Sequence, residues 1–146
     1  MKRPAKLFLI PGLFFPVIVF ANNTLSCTAK HLDTGEKVEV KTVSAIAGEK
    51  IATAQWPLGY PTIALDDSAF IKLPMNARQF IYYHECAHLK YRTRDEQEAD
   101  CAGLELMIEQ HGLSEINIRK LVKTLAKEFG LSIRWSNLLM CKGVLE

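Results

Sequence analysis

Apolar side chains between residues 76 and 91 recur with the spacing of a helix, and two histidines and a glutamate lie among them. This pattern predicts a largely buried helix over residues 76 to 91. Asn76 follows Pro74 and stands three residues before Gln79, which is a capping-box spacing and predicts the first turn. Buried histidines and carboxylates need polar partners, so this helix should contain a site. Its apolar contacts are predicted to come from Phe80, Ile81, Ala87 and Leu89.

Helical patterns also follow this segment. A second helix is predicted to begin near Asp95, after a short reversal centred near Arg92. A third pattern opens at Ser114 and stops at Gly130, and a short helix is predicted near residues 136 to 141. The third helix has apolar side chains at helical spacing along one face, which are Ile118, Leu121, Val122, Leu125 and Phe129. This apolar stripe is expected to pack in the core.

The chain before residue 76 has the pattern of strands. Residues 26 to 32 and 37 to 43 are strand-like around a turn at Asp33, Thr34 and Gly35, and they predict a first hairpin. Residues 62 to 65 and 69 to 73 are also strand-like, flank a turn at Asp66, and predict a second hairpin. The expected fold class is therefore α+β, with the hairpins forming a small antiparallel or mixed sheet on the 76–91 helix and two to three further helices.

The first 21 residues have the pattern of an export signal. Basic residues precede an apolar run from residue 7 to residue 20, and Ala21 completes a small-residue cleavage site. The apolar run is short for a membrane span and contains two prolines, so no stable span is expected after cleavage. We predict a signal peptide over residues 1–21 and one domain over residues 22–146, located in a periplasm or secreted.

The net charge of the chain after cleavage bears on which partners are expected. The chain has 18 basic and 16 acidic side chains. Cleavage would remove Lys2, Arg3 and Lys6 and no acids, which leaves a net charge of −1. A domain with this balance has no electrostatic preference for nucleic acid, and none is expected as a partner.

Four cysteines remain after cleavage, which are Cys27, Cys86, Cys101 and Cys141. In an oxidising compartment they allow two disulfides by three connectivities, among which the spacing does not choose. Cys86 lies ~200° from His84 around the helix, so it should face the core, as a disulfide partner or as a small apolar side chain. No pair has the C-x-x-C spacing of a cysteine zinc site.

The chemistry is concentrated in His84-Glu85-Cys86-Ala87-His88, an H-E-x-x-H sequence. At ~100° per residue, His84 and His88 lie ~40° apart around the helix, so both rings can reach one metal ion. Glu85 is offset enough to reach a water that the metal activates. This spacing predicts two zinc-ligating histidines and a catalytic Glu85.

A catalytic zinc site needs a third protein ligand, and the second predicted helix offers one. If the chain reverses near Arg92, Glu96 lies level with His88, and Asp100 lies level with His84, where it could accept a hydrogen bond from the outer ring nitrogen. Glu98 is the rival ligand and points ~200° away from Glu96. Either glutamate could instead serve as the N3 residue of a capping box.

Together these residues resemble a known family. His84-Glu85-x-x-His88 followed by Glu96-x-x-Ala99-Asp100-x-x-Gly103 is similar to the gluzincin metallopeptidases, in particular the CAAX prenyl endopeptidases, the HtpX-like proteases and small exported bacterial relatives. The resemblance covers residues 63 to 106 and implies a zincin-like fold, zinc on His84, His88 and Glu96, a catalytic Glu85 and a supporting Asp100. It also implies an edge strand beside the zinc helix, for which residues 62 to 65 or 69 to 73 are the candidates.

The expected function is an exported zinc metallopeptidase that acts on a peptide or protein substrate. Tyr60, His111 and His31 are conceivable stabilisers of the oxyanion, and the sequence assigns none of them. Two alternatives remain open. One is a zinc-binding envelope module without activity, and the other is a disulfide-stabilised binding protein in which H-E-x-x-H is coincidental.

Overall fold

The computed structural model describes residues 24–45, 48 and 50–141, so the predicted signal peptide lies outside the described residues. This part of the chain has an α+β fold with two small sheets and five α-helices. None of its helices is long and apolar enough to cross a membrane. The elements are β1 (Thr28–Lys30), β2 (Lys37–Glu39), β3 (Lys41–Ser44), β4 (Ala52–Gln55), β5 (Thr62–Leu65), α1 (Asp67–Phe70), α2 (Met75–Tyr91), α3 (Glu96–His111), α4 (Glu115–Phe129) and α5 (Ile133–Asn137).

The first predicted hairpin is confirmed, although its strands are shorter than expected. β1 and β2 pair antiparallel with Ala29 opposite Val38, and Gly35 adopts φ 70° in the turn between them. The strand-like run over residues 37 to 43 is interrupted at Val40, whose N–H donates to the carbonyl of Cys27. As a result, β3 leaves the hairpin and pairs in parallel with β5 in a second sheet.

The second predicted hairpin is wrong. Asp66 accepts a hydrogen bond from the backbone of Ala69 and caps α1, so residues 69 to 73 do not form a strand. The antiparallel partner of β5 is β4, a short strand that the pattern analysis missed. Because the strand order is β3-β5-β4, β5 is central and buried at all four positions. Both candidates for the edge strand beside the site were therefore wrong, and β4 is the strand at that edge.

The predicted buried helix is confirmed as α2, with a different N-terminus. Pro74 occupies the N-cap position and no side chain caps the helix, so the predicted capping box is wrong. Asn76 instead donates through Nδ2 to Oγ1 of Thr124, which links α2 to α4. Tyr82 and Tyr83 are buried as the packing of this helix requires.

The remaining helices follow the predicted order. Arg92 adopts φ 55° and reverses the chain between α2 and α3, as expected from the spacing. α4 begins after Ser114 and ends before Gly130, and three residues of its predicted stripe, Ile118, Leu121 and Leu125, are fully buried in the core. α5 and the following 3-10 turn, Leu138–Met140, replace the single short helix predicted near the end.

Two disulfides join distant parts of the fold. Cys27 is bonded to Cys86, so the segment before β1 is attached to α2. Cys101 is bonded to Cys141, so the end of the described chain is attached to α3. Cys86 is 2% exposed, which confirms that it faces the core. Two disulfides in a chain of this size indicate an oxidising environment, as outside the cell or in a periplasm.

Candidate metal centre

Three potential metal ligands converge where α2 and α3 run side by side. Nε2 of His84 lies 3.0 Å from Nε2 of His88, and Glu96 places its two carboxylate oxygens 3.3 Å from the first nitrogen and 3.6 Å from the second. Tetrahedral zinc with bonds of ~2.0 to 2.1 Å separates its ligand atoms by ~3.3 to 3.4 Å. The observed spacing fits this requirement, so the group could hold a metal ion.

The other ring nitrogens determine which way the two imidazoles face. Nδ1 of His84 lies 2.8 Å from Oδ1 of Asp100, and Nδ1 of His88 lies 2.9 Å from the carbonyl oxygen of Thr93. Both partners are hydrogen-bond acceptors, which places the hydrogen on Nδ1 and leaves the Nε2 lone pairs directed at one point. Asp100 was expected in this position, whereas Thr93 was not identified from the sequence.

The structure also separates the two candidate glutamates. Asp95 caps α3 by accepting from the backbone N–H of Glu98 at 2.8 Å, and the Glu98 carboxylate accepts from Oγ1 of Thr93 at 2.5 Å. Glu98 therefore belongs to the cap of the helix. Glu96 is one of the three converging ligands, and its side chain is 61% exposed towards the cleft.

Close contact between the two helices depends on Gly103. A Cβ atom at this position would lie 2.8 Å from both Cα and N of His84, which is closer than real Cβ contacts. α3 can therefore approach the backbone of the first histidine only because residue 103 has no side chain. This contact sets the distance from which Glu96 and Asp100 reach the imidazoles.

Asp100 is held by a second partner that the sequence analysis missed. Nε and Nη2 of Arg134 donate to its two carboxylate oxygens at 2.6 and 2.7 Å. Burial alone would raise the pKa of Asp100, but the hydrogen bonds from Arg134 and His84 outweigh it and lower that pKa below its usual value. The hydrogen bond to Asp100 also raises the pKa of Arg134. A buried acid implies a basic partner, but nothing in the sequence points to a residue 34 positions away.

The three potential metal ligands open into a cleft of about 620 Å³ between β4, α2, α3 and the C-terminal segment. Glu85 lies in this cleft, where its Oε2 accepts from the backbone N–H of Ala54 at 2.7 Å. The expected catalytic carboxylate is thus fixed by the strand that the sequence analysis missed. The apolar part of the lining is formed by Ile51, Ala52, Ala54, Trp56, Phe80, Ile81, Phe129 and Trp135.

The three conceivable oxyanion stabilisers lie elsewhere. His31 packs edge-on against Tyr60 with 4.4 Å between ring centroids, and both are outside the cleft lining. Nε2 of His111 lies 3.0 Å from the hydroxyl of Tyr83 behind α2. None of the three belongs to the cleft, so any such donor must come from another residue.

The chain matches no protein-family model, no curated protein and no solved structure.

Proposed function

We propose that this protein is an exported zinc-dependent peptidase. The observation that carries the proposal is the convergence of two Nε2 atoms and one carboxylate within 4.8 Å, with the carboxylate of Glu85, which is not one of the three, in the same cleft. Two histidines, one glutamate and an open position form the ligand set of a hydrolytic zinc site. The likeness of these motifs to the gluzincins supports the same function.

The donor set favours zinc over other common ions. Calcium and magnesium take six or more oxygen ligands, whereas this group offers two nitrogens and one carboxylate. When bound, zinc would polarise a carbonyl group and lower the pKa of a coordinated water towards neutrality. Asp100 and Thr93 would hold the hydrogen on each Nδ1 atom, so that both Nε2 lone pairs face the metal.

Glu85 has the position of a general base. Its hydrogen bond to Ala54 leaves the other carboxylate oxygen free to accept a proton from water. The water oxygen then bonds to the scissile carbonyl carbon, the C–N bond breaks, and Glu85 returns the proton to the leaving amine. The protein supplies base and acid in turn from one side chain.

The free edge of β4 is the proposed support for the substrate. The carbonyl of Ile51 accepts a hydrogen bond from the backbone N–H of Asp66, next to β5. In an antiparallel pair, successive residues direct their backbone groups alternately towards the partner strand and away from it. Ala52 and Ala54 therefore direct their backbone groups away from β5 and towards the cleft. Because the N–H of Ala54 is taken by Glu85, an extended peptide would pair with the backbone groups of Ala52 and the carbonyl of Ala54. The side chains of that peptide would enter the apolar lining. β4 thereby takes the role that the sequence analysis gave to residues 62 to 65 or 69 to 73.

Export is part of the proposal. The two disulfides require an oxidising compartment, and the predicted signal peptide with cleavage after Ala21 supplies a route to it. The mature N-terminus can be determined by mass spectrometry of protein recovered from an oxidising compartment.

The test is metal content and peptide cleavage on the oxidised protein. Wild type and Glu85→Gln should bind one zinc per chain, and Glu96→Ala should lose it. Glu98→Ala is the matched control, since it removes a carboxylate from the same helical turn and should retain zinc. A defined peptide library should be cleaved by wild type and not by Glu85→Gln.

The alternatives give different results. One zinc per chain without cleavage would favour the inactive envelope module. Folded wild type without zinc would refute the peptidase and leave a disulfide-stabilised binding protein.

A further inference from the structure

Peptide hydrolysis requires a donor for the negative charge that develops on the carbonyl oxygen. The cleft contains few side chains that can provide it. Thr93 already donates its hydroxyl proton to Glu98, and Lys50 and Arg94 are exposed at the rim. Three donors remain in the described part of the cleft, which are the hydroxyl of Thr53, the indole N–H of Trp56 and the guanidinium of Arg134. Of these, only the guanidinium hydrogen-bonds to one of the potential metal ligands, Glu96.

The geometry of Arg134 leaves one donor group directed at the metal ligands. A guanidinium is planar and carries five N–H donors in a fixed fork. On one edge, Nε and Nη2 donate to Asp100. On the next edge, Nη2 also donates to Glu96 at 3.3 Å. Because the group is planar, an N–H of Nη1 lies parallel to this donor on the same edge. Among the described residues, Nη1 has no hydrogen-bond partner.

We propose that Arg134 is a catalytic residue whose Nη1 group donates to the carbonyl oxygen of the scissile peptide as that oxygen becomes negative. The role rests on the proposed peptidase function and adds to it the donor that the sequence did not identify. Arg134 contacts a proposed metal ligand, so Nη1 lies beside the place where a polarised carbonyl would be held.

The surroundings keep this guanidinium in place. Its bidentate pair with Asp100 fixes the plane of the group, and its charge lies over the ring of Trp135 at 4.9 Å. The disulfide between Cys101 and Cys141 attaches the segment that carries Arg134 to α3. A donor that is fixed before the reaction needs little reorganisation during it, which is the requirement for stabilising a developing charge.

Charge and protons balance without a change in Arg134. The proton of the attacking water goes to Glu85 and then to the leaving amine, while the guanidinium stays protonated throughout. Its only change is a stronger hydrogen bond when the oxygen carries the negative charge. Arg134 should therefore affect the rate of the chemical step more than the binding of the substrate.

The experiment compares Arg134→Met with Arg119→Met in the oxidised, zinc-loaded protein. Arg119 is the matched control, because it also forms an ion pair, with Glu115, but lies on α4 outside the cleft. Arg134→Met should lower kcat about 10² to 10³ fold with KM and zinc content nearly unchanged, as for loss of one oxyanion donor. Arg119→Met should match wild type.

A binding measurement separates this role from a structural one. A peptide phosphonate carries the charge and shape of the tetrahedral state, and calorimetry should show its affinity falling by the same factor as kcat/KM. A product peptide without the phosphonate should bind both proteins alike. Guanidinium ion added to Arg134→Ala should restore part of the rate. Trp56→Phe, which removes only the indole N–H, should lower kcat by much less than Arg134→Met does.

Four results would overturn the proposal. These are an effect on KM alone, loss of zinc from Arg134→Met, equal behaviour of the Arg134 and Arg119 variants, or transfer of the whole effect to Trp56→Phe. If Arg134→Met does not fold, Arg134→Lys decides, because it keeps the charge beside Asp100 and lacks Nη1, so a wild-type kcat would refute the role. A wild type that cleaves peptides keeps the proposed function in each case, whereas a zinc-loaded wild type that cleaves none refutes both.

Discussion

The contact between Gly103 and His84 gives a sharp test of how packing controls the site. In Gly103→Ala, the new Cβ would lie 2.8 Å from the backbone of His84, where ordinary contacts begin at 3.4 Å. The helices must therefore separate by about 0.6 Å, or the backbone must deform by a similar amount. Neither neighbour is a flexible side chain that could move aside. The displacement must reach Glu96 and Asp100, which lie on the same helix.

Two opposing effects make stability a poor readout. Overpacking of this kind destabilises by about 1 to 3 kcal/mol. Alanine in place of glycine within a helix stabilises by about 1 kcal/mol. The free energy of unfolding should therefore fall by only about 0 to 2 kcal/mol, whereas zinc affinity should fall ~10 to 100 fold because the supporting carboxylate is displaced.

The assay is competition for zinc against a chelator of known affinity, with urea unfolding of the same samples. Gln110→Ala is the control, because Gln110 is exposed on α3 and its replacement changes helix propensity alone. Gly103→Ser should lower zinc affinity at least as much as Gly103→Ala. Wild-type zinc affinity in Gly103→Ala would show that the close contact does not set the ligand geometry, and would refute the reasoning.

Further predictions concern one disulfide and two buried ionisable groups. Replacing Cys101 and Cys141 by serine opens a loop of 40 residues and should lower the free energy of unfolding by about 4 kcal/mol, measured in urea; a change below 1 kcal/mol would contradict this. Burial raises the pKa of Tyr82 to about 12, above the unfolded value near 10, so its contribution to stability is full below pH 10 and is lost between pH 10 and about 12. Tyr82→Phe should remove that part of the pH dependence, and an unchanged alkaline profile would argue against it. Asp100→Asn should lower zinc affinity ~10 to 100 fold in the same chelator competition, and an unchanged affinity would exclude a supporting role for the carboxylate. The pKa of Asp100 is lower in the folded state than in the unfolded state. Its carboxylate should therefore stabilise the fold above the unfolded pKa, and this stabilisation should be lost as the pH falls through the folded pKa. Acid titration of the metal-free protein can detect the loss.

Strand pairing shows where the pattern analysis failed. Residues 69 to 73 alternate well enough to suggest a strand, but Asp66 caps a helical turn there and removes them from the sheet. β4 contains two alanines, a threonine and a glutamine and has little strand propensity, so only its pairing with β5 makes it a strand. Propensity is a weak guide where tertiary contacts decide the conformation.

The sequence by itself determined the parts of the site that lie close together along the chain. The pitch of one helix puts His84 and His88 on the same face. The chain reverses within a few residues at Arg92, and so short a connection restricts the register in which α3 can lie against α2. Glu96 and Asp100 therefore reach the two imidazoles as the spacing predicted.

Tertiary structure alone decided the partners that come from distant segments. Ala54 fixes Glu85 across 31 positions, Arg134 reaches Asp100 across 34, and the cysteines pair across 59 and 40. The entropy of closing a loop changes slowly with its length, so spacing hardly distinguishes one distant partner from another. Those choices depend on how β4, α3 and the C-terminal segment pack together around α2.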